Sequence, residues 1–155
     1  MAATTEVQWL TDDEQATWRA FNLASRLVDG ALDHQLMRDA DMGHTQYAVL
    51  VALSEAVDHR ARMGDLADLL QYSPSRLSHA VRKMETNGWI ERRKCPSDGR
   101  GQIAVLTSVG RQTIEQTAPG HVDEVRRVVL SPLTATQQAQ LRNICETLLG
   151  GNQTT

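Results

Sequence analysis

Between Ser73 and Leu106 the chain reads SPSRLSHAVRKMETNGWIERRKCPSDGRGQIAVL, a stretch that leaves it few ways to fold. Ser73 is a good N-cap, and Pro74 falls at the first helical position, where its missing N–H costs nothing. Leu77, Ala80, Val81 and Met84 recur at helical spacing and predict a helix with one apolar stripe. At about 100° per residue, Ser75, His79, Arg82 and Thr86 fall on the opposite face, flanked by Arg76, Ser78 and Lys83. Asn87-Gly88 predicts the stop, since both residues tolerate the left-handed conformation of a C-cap. Residues 89–94 and 102–106 then read as strands, with 95–101 as an exposed hairpin tip rich in turn residues.

Charge singles out the same stretch. Seven Lys and Arg against Glu85, Glu91 and Asp98 give residues 73–101 a net charge of +4, whereas the whole chain is −3 and the remainder therefore −7. A concentrated positive patch on an acidic chain implies a local anionic partner, and a helix followed by a hairpin suits two grooves of a duplex. This is the pattern of a winged helix-turn-helix.

More specific matches follow: Met63-Gly64-Asp65-Leu66-Ala67, Ser73-Pro74-Ser75-Arg76-Leu77-Ser78, Met84-Glu85-Thr86-Asn87-Gly88-Trp89-Ile90, and Asp98-Gly99-Arg100 leading to Leu106-Thr107 and Gly110. In these residues the chain resembles MarR-family transcriptional regulators, with element order matching from about residue 11 to about residue 149. The resemblance implies that Arg100 enters a minor groove and that Asp98 orients a nearby arginine. It also implies a pocket between the dimerisation helices and the DNA-binding lobe for a small phenolic or aromatic acid, with Trp18 and Tyr47 as possible lining and the remaining ligand residues unknown. Peroxide-sensing relatives carry a reactive cysteine near the start of the first long helix, and this chain has none there.

Upstream, residues 1–10 read as a loose arm, and Thr11-Asp12-Asp13-Glu14 as a capping box. The helix it opens is expected to reach about Met37, with a broad face of Trp18, Phe21, Ala24, Leu27, Val28, Ala31 and Leu32. Residues 1–58 hold ten carboxylates against Arg19, Arg26 and Arg38, so this end is a poor DNA contact. A second helix is expected over 45–57 after Gly43, a short strand at Arg62-Met63, and a third helix over 65–71 with Gly64 before it. Past the wing, Thr107-Ser108 caps another helix, with a kink expected at Pro119-Gly120. Thr134 caps a last helix bearing Leu141, Ile144, Cys145, Leu148 and Leu149, Cys145 being read as core, and residues 152–155 form a tail.

No Gly-rich phosphate loop, nucleophile elbow or HExxH is present, and the histidines at 34, 44, 59, 79 and 121 lack the spacing of a zinc pair. The reading is therefore not an enzyme, with no cofactor, no metal and no catalytic residues. No apolar run reaches the roughly 20 residues of a membrane span. The start lacks a signal-peptide pattern, and Cys95 and Cys145 do not suggest a disulfide framework, so a cytoplasmic protein is expected.

The expected fold is mainly α with a small β-hairpin wing. Residues 1–155 form a single unit: a winged helix-turn-helix lobe at 45–107, flanked by dimerisation helices at 11–38 and 109–149. The expected function is that of a repressor which, as a homodimer, binds double-stranded DNA at a pseudo-palindromic operator. The expected DNA contacts are Ser73, Ser75, Arg76, Ser78, His79, Arg82, Lys83, Lys94, Asp98 and Arg100. Two other readings stand beside it: redox control through Cys95, whose basic neighbours favour a thiolate, and non-specific architectural DNA binding.

Overall fold

The computed structural model describes residues 7–95 and 98–151, with residues 98–100 and 151 described by backbone alone. The expected arm at 1–6, Pro96-Ser97 of the hairpin tip and the tail at 152–155 lie outside the described residues. Within them run α1 (Asp12–Ala40), α2 (His44–Glu55), β1 (Arg60–Arg62), α3 (Met63–Leu70), α4 (Pro74–Thr86), β2 (Ile90–Cys95), β3 (Asp98–Leu106), α5 (Ser108–Val125) and α6 (Ala135–Gly151). The three strands form one antiparallel sheet in the order β1-β3-β2. This is a mainly helical winged fold.

Helix α1 opens on the expected capping box: Glu14 N–H donates to Thr11 Oγ1, and Thr11 N–H donates to Glu14 Oε2 at 2.8 Å. It runs past Met37 because Asp39 is held inside it by Gln35 Nε2 (2.8 Å) and by Arg38, and it ends on Asp41 in the left-handed region. Gly43 cannot cap α2 with a side chain. Asp33 of α1 does so instead, accepting from His44 N–H at 2.9 Å, and so ties the two helices together. His121 of α5 is buried against the Tyr47 ring, its Nδ1 facing Gln35 Oε1 at 3.3 Å. Burial, with His44 nearby, pushes its pKa down.

Several boundaries differ from expectation, each for a local reason. The short strand is Arg60–Arg62, because pairing with β3 (Arg60↔Val105, Arg62↔Ile103) uses those residues and leaves Met63 to begin α3. Gly64 therefore lies inside the first turn of α3 and does not cap it. At the end of α4 Asn87 is right-handed, and Gly88 alone takes the positive φ (72°). Gly88 N–H reaches Glu85 O and Trp89 N–H reaches Met84 O, the two bonds of a Schellman motif. Strand β3 begins at Asp98, so the tip is narrower than expected.

The expected interruption at Pro119-Gly120 is absent: α5 is continuous through both. A Cβ at Gly120 would lie 3.1 Å from Asp39 Oδ2 and 3.3 Å from Gln35 Nε2, so this glycine allows α5 to approach α1. The irregularity falls later, in a π-helical turn at Arg126–Leu130, where Ser131 N–H donates to Arg126 O at 2.7 Å.

The core gathers Leu36, Leu50, Leu53, Leu66, Leu77, Val81, Met84 and Ile90 beneath the sheet and four helices. Only the C-terminal third of α1 joins it, through Leu36 and Ala40, with Leu32 and Gln35 buried nearby on the same helix. Trp18, Phe21 and Leu27 stay exposed, as does the expected core residue Cys145 on α6.

Where the wing meets α5, Thr107 Oγ1 donates to Gly88 O at 2.6 Å, lies 3.0 Å from Trp89 O, and accepts from Gly110 N–H at 3.0 Å. A Cβ at Gly110 would stand 2.1 Å from Trp89 O and 2.8 Å from Leu106 Cδ1. Overpacking of this kind costs about 1–3 kcal/mol, sometimes more. Gly110→Ala is therefore expected to lower the unfolding free energy from urea titration by at least that much, and an unchanged midpoint would show that the joint yields freely.

Candidate nucleic-acid interface

Helix α4 is anchored by the stripe that its spacing predicts. Leu77, Ala80, Val81 and Met84 are all buried, which fixes which face looks outward. Ser73, Ser75, Arg76, His79, Arg82 and Lys83 are exposed, and Ser78 is half-buried at the edge. Ser73 caps the helix by accepting from Arg76 N–H, and its hydroxyl lies 3.1 Å from that of Ser75. The guanidinium of Arg76 donates to Thr45 Oγ1 of α2 at 2.9 Å and stacks 4.3 Å above the Tyr72 ring. The side chains of His79, Arg82 and Lys83 make no hydrogen bond or ion pair with any described residue.

Other cations of the patch are engaged. Arg92 and Glu85 meet at 2.6 Å, joining β2 to α4, and Arg93 pairs with Glu91 at 2.8 Å. The Arg92 contact holds the Glu85 carboxyl below its usual range and raises the arginine in turn. Sequence counting credits all seven cations to a partner; the structure leaves fewer of them available. Lys94 is exposed on β2. Asp98 and Arg100 sit in β3, their side chains outside the described residues. Cys95, expected at an exposed tip, is 5% exposed, because β2 continues through it to pair with Asp98 after an irregularity at Lys94/Cys95.

A separate cleft of about 420 Å³ opens between α2, α5 and the base of the wing. Tyr47, Val51, Ser54, His59, Arg111 and Ile114 are among its walls. Trp18 is not; it is exposed on α1, stacked with Phe21. Arg111 and His59 of this cleft were not legible as a group, being separated by the whole winged segment.

The helix pair α3–α4 followed by the β2–β3 hairpin defines a winged helix-turn-helix protein. A family model described as MarR family matches residues 40–101. Sco3205, a MarR family transcriptional regulator from Streptomyces coelicolor solved in complex with DNA, superposes with a TM-score of 0.90. It is 47% identical, over 96% of this chain and 92% of that one. AbsC, a MarR family transcriptional regulator from the same organism, gives a TM-score of 0.83 and 38% identity over 93% and 99% of the two chains. The transcriptional repressor MprA of Escherichia coli (strain K12) is 23% identical over 128 residues, 83% of this chain and 71% of its own length. The chain belongs to the MarR family of transcriptional regulators.

The Glu85–Arg92 pair carries its own prediction. A carboxylate whose folded pKa is depressed contributes stability above its unfolded pKa, about 4.3, and loses it as pH falls through the folded value. Glu85→Gln is expected to flatten the acid limb of unfolding free energy against pH. Superimposable limbs for wild type and variant would show that the pair contributes nothing.

Proposed function

We propose that this chain is a sequence-specific repressor that binds a pseudo-palindromic operator in double-stranded DNA as a homodimer and is released by a small aromatic or phenolic acid. The observation that carries the reading is the outer face of α4: exposed and cationic, with the side chains of His79, Arg82 and Lys83 making no hydrogen bond or ion pair among the described residues, opposite a fully buried stripe. Arg93 and Arg127, by contrast, pair with the neighbouring carboxylates of Glu91 and Glu124. His79, Arg82 and Lys83 of α4 are left for a ligand. In this reading Ser75, His79 and Arg82 meet base edges in the major groove, with Ser78 at the margin of the contact, because Arg can make two parallel hydrogen bonds to guanine. Ser73, Arg76 and Lys83 meet phosphates, which position without specifying. Lys94 and Arg100 enter the minor groove beside, where a narrow groove concentrates negative potential, and Asp98 orients a wing arginine. The DNA complex of Sco3205 and the repressor name of MprA support this reading.

In the same reading residues 45–107 are the DNA-binding lobe, and 11–38 and 109–149 mainly make the dimer. Helix α6 is exposed along almost its whole length, and Leu23, Leu27, Ile144, Leu148 and Leu149 are each more than half exposed. An uncovered apolar surface of that extent is unusual on a monomer, and pairing across a two-fold axis buries it. The effector takes the cleft beside Tyr47, its ring against Val51 and Ile114 and its polar groups toward Arg111, which shares the wall with Glu55 and Glu115. Redox control through Cys95 gains no support from a buried thiol, since oxidants act on accessible thiolates.

The test is affinity for a selected operator and a scrambled duplex at matched salt. Arg82→Ala is expected to cost about 1–3 kcal/mol on the operator and much less on the scrambled duplex. Equal losses on both would reduce Arg82 to a phosphate contact. A wild-type ratio near one would make the protein an architectural binder.

A further inference from the structure

Beside the outer face of α4, the start of α2 closes a second cleft, of about 210 Å³, whose walls include Gly43, Thr45, Gln46, Arg76, His79 and Lys83. Three of these side chains can carry positive charge, and no carboxylate lines the cleft. The carboxylate of Asp33, nearby on α1, has its Oδ1 on His44 N–H. Arg76 is stationed from two sides, by Thr45 Oγ1 and by the Tyr72 ring. Gln46 is 6% exposed, and its Oε1 accepts from Gly43 N–H at 2.9 Å. Its Nε2 is a buried donor with no partner among the described residues. Such a donor costs free energy until something supplies an acceptor. A tetrahedral oxyanion supplies several at once, to guanidinium, ammonium and amide together.

We infer that this cleft is a subsite for one phosphodiester of the DNA backbone, in which Arg76 and Lys83 hold the charge and Gln46 Nε2 donates to an oxygen. Thr45 is a positioning residue that aims Arg76. The inference deepens the DNA-binding reading and rests on it. It brings α2 into the interface, so that the duplex is gripped by two helices whose relation is set by the core. One gripped phosphate fixes how far along the groove α4 sits, and therefore which base edges His79 and Arg82 meet. Thr45 and Gln46 lie about 30 positions before Arg76 in the sequence, with no motif of their own to mark them.

The test couples protein variants to single neutralised phosphates. Operator duplexes carrying one uncharged methylphosphonate at a time across a half-site are titrated with wild type, Arg76→Ala and Gln46→Glu. Gln46→Glu keeps an acceptor for Gly43 N–H but replaces the donor amide by an anionic oxygen. Arg76 is exposed, so Arg76→Ala keeps the test open if thermal melts show that the Gln46 variant is unfolded. At one position wild type is expected to lose about tenfold, the size of a charged hydrogen bond. At that position Arg76→Ala should lose nothing beyond its own defect, and Gln46→Glu, weak on unmodified DNA, should regain affinity. Losses that simply add at every position overturn the inference. It is equally overturned if they add while inorganic phosphate alone raises the Tm of DNA-free protein saturably, an effect lost in Arg76→Ala, since the cleft is then a site for free anions. If wild type binds operator and scrambled duplex alike, it is the specific-regulator reading that fails, and the same cycle then decides the subsite on the non-specific complex.

Discussion

The carbonyl of Trp89 is the point on which the geometry of this molecule turns. Thr107 N–H donates to it, the Thr107 hydroxyl lies within 3.0 Å of it, and Gly110 must lack a Cβ to pass it. Four elements meet there: α4 has just ended through Gly88, β2 begins, β3 returns at Leu106, and α5 departs. Two adjacent backbone carbonyls are met by one side chain, at the edge of the apolar cluster that holds Trp89, Leu106 and Ile114. The joint fixes the angle between the exposed helix α4 and the long helix α5. In the proposed dimer that angle decides how far apart two copies of α4 are held. The proposed effector cleft includes Leu106 in its wall, so an occupant would press on the same joint.

Charge pairing settles a second matter that composition leaves open. A net +4 over residues 73–101 suggests a broad positive patch. In the folded chain Glu85 reaches across from α4 to Arg92, so one cation braces the wing against the helix, while Glu91 takes Arg93. Among the described residues, His79, Arg82 and Lys83 of the outer face of α4 and Lys94 have no carboxylate partner. Specific recognition needs cations that are free and held at defined positions, and the buried stripe of α4 supplies the second condition. Arg76 shows both sides of this, being held by Thr45 and Tyr72 while staying exposed.

Local chemistry was readable from the sequence wherever the cause was local. The Thr11 capping box, Ser73-Pro74, the apolar stripe of α4 and the Gly88 stop follow from a few adjacent residues, and the structure shows each of them. Contacts between distant residues were not readable. The cap of α2 comes from Asp33, eleven positions away, so Gly43 looked like a plain substitute for a capping side chain. Pro119-Gly120 looked like a break because Pro ends helices in isolation. In the folded chain α5 runs through both, with Gly120 close against Asp39 and Gln35 of α1. Cys145 was read as core from apolar periodicity, which reports that a face must be covered but not by which chain. Thr45 and Gln46 carry no pattern at all, and only the fold brings them beside Arg76.

The central claim is that two identical α4 faces, held by one joint each, read the same DNA. Selection from a random duplex library by the purified full chain tests it most directly. Consecutive major grooves on one side of B-form DNA lie about 34 Å apart, so the enriched sites should contain an inverted repeat with half-sites centred about 10 base pairs apart. Enrichment of a single unrepeated element, or no enrichment over the starting library at physiological salt, would contradict the account.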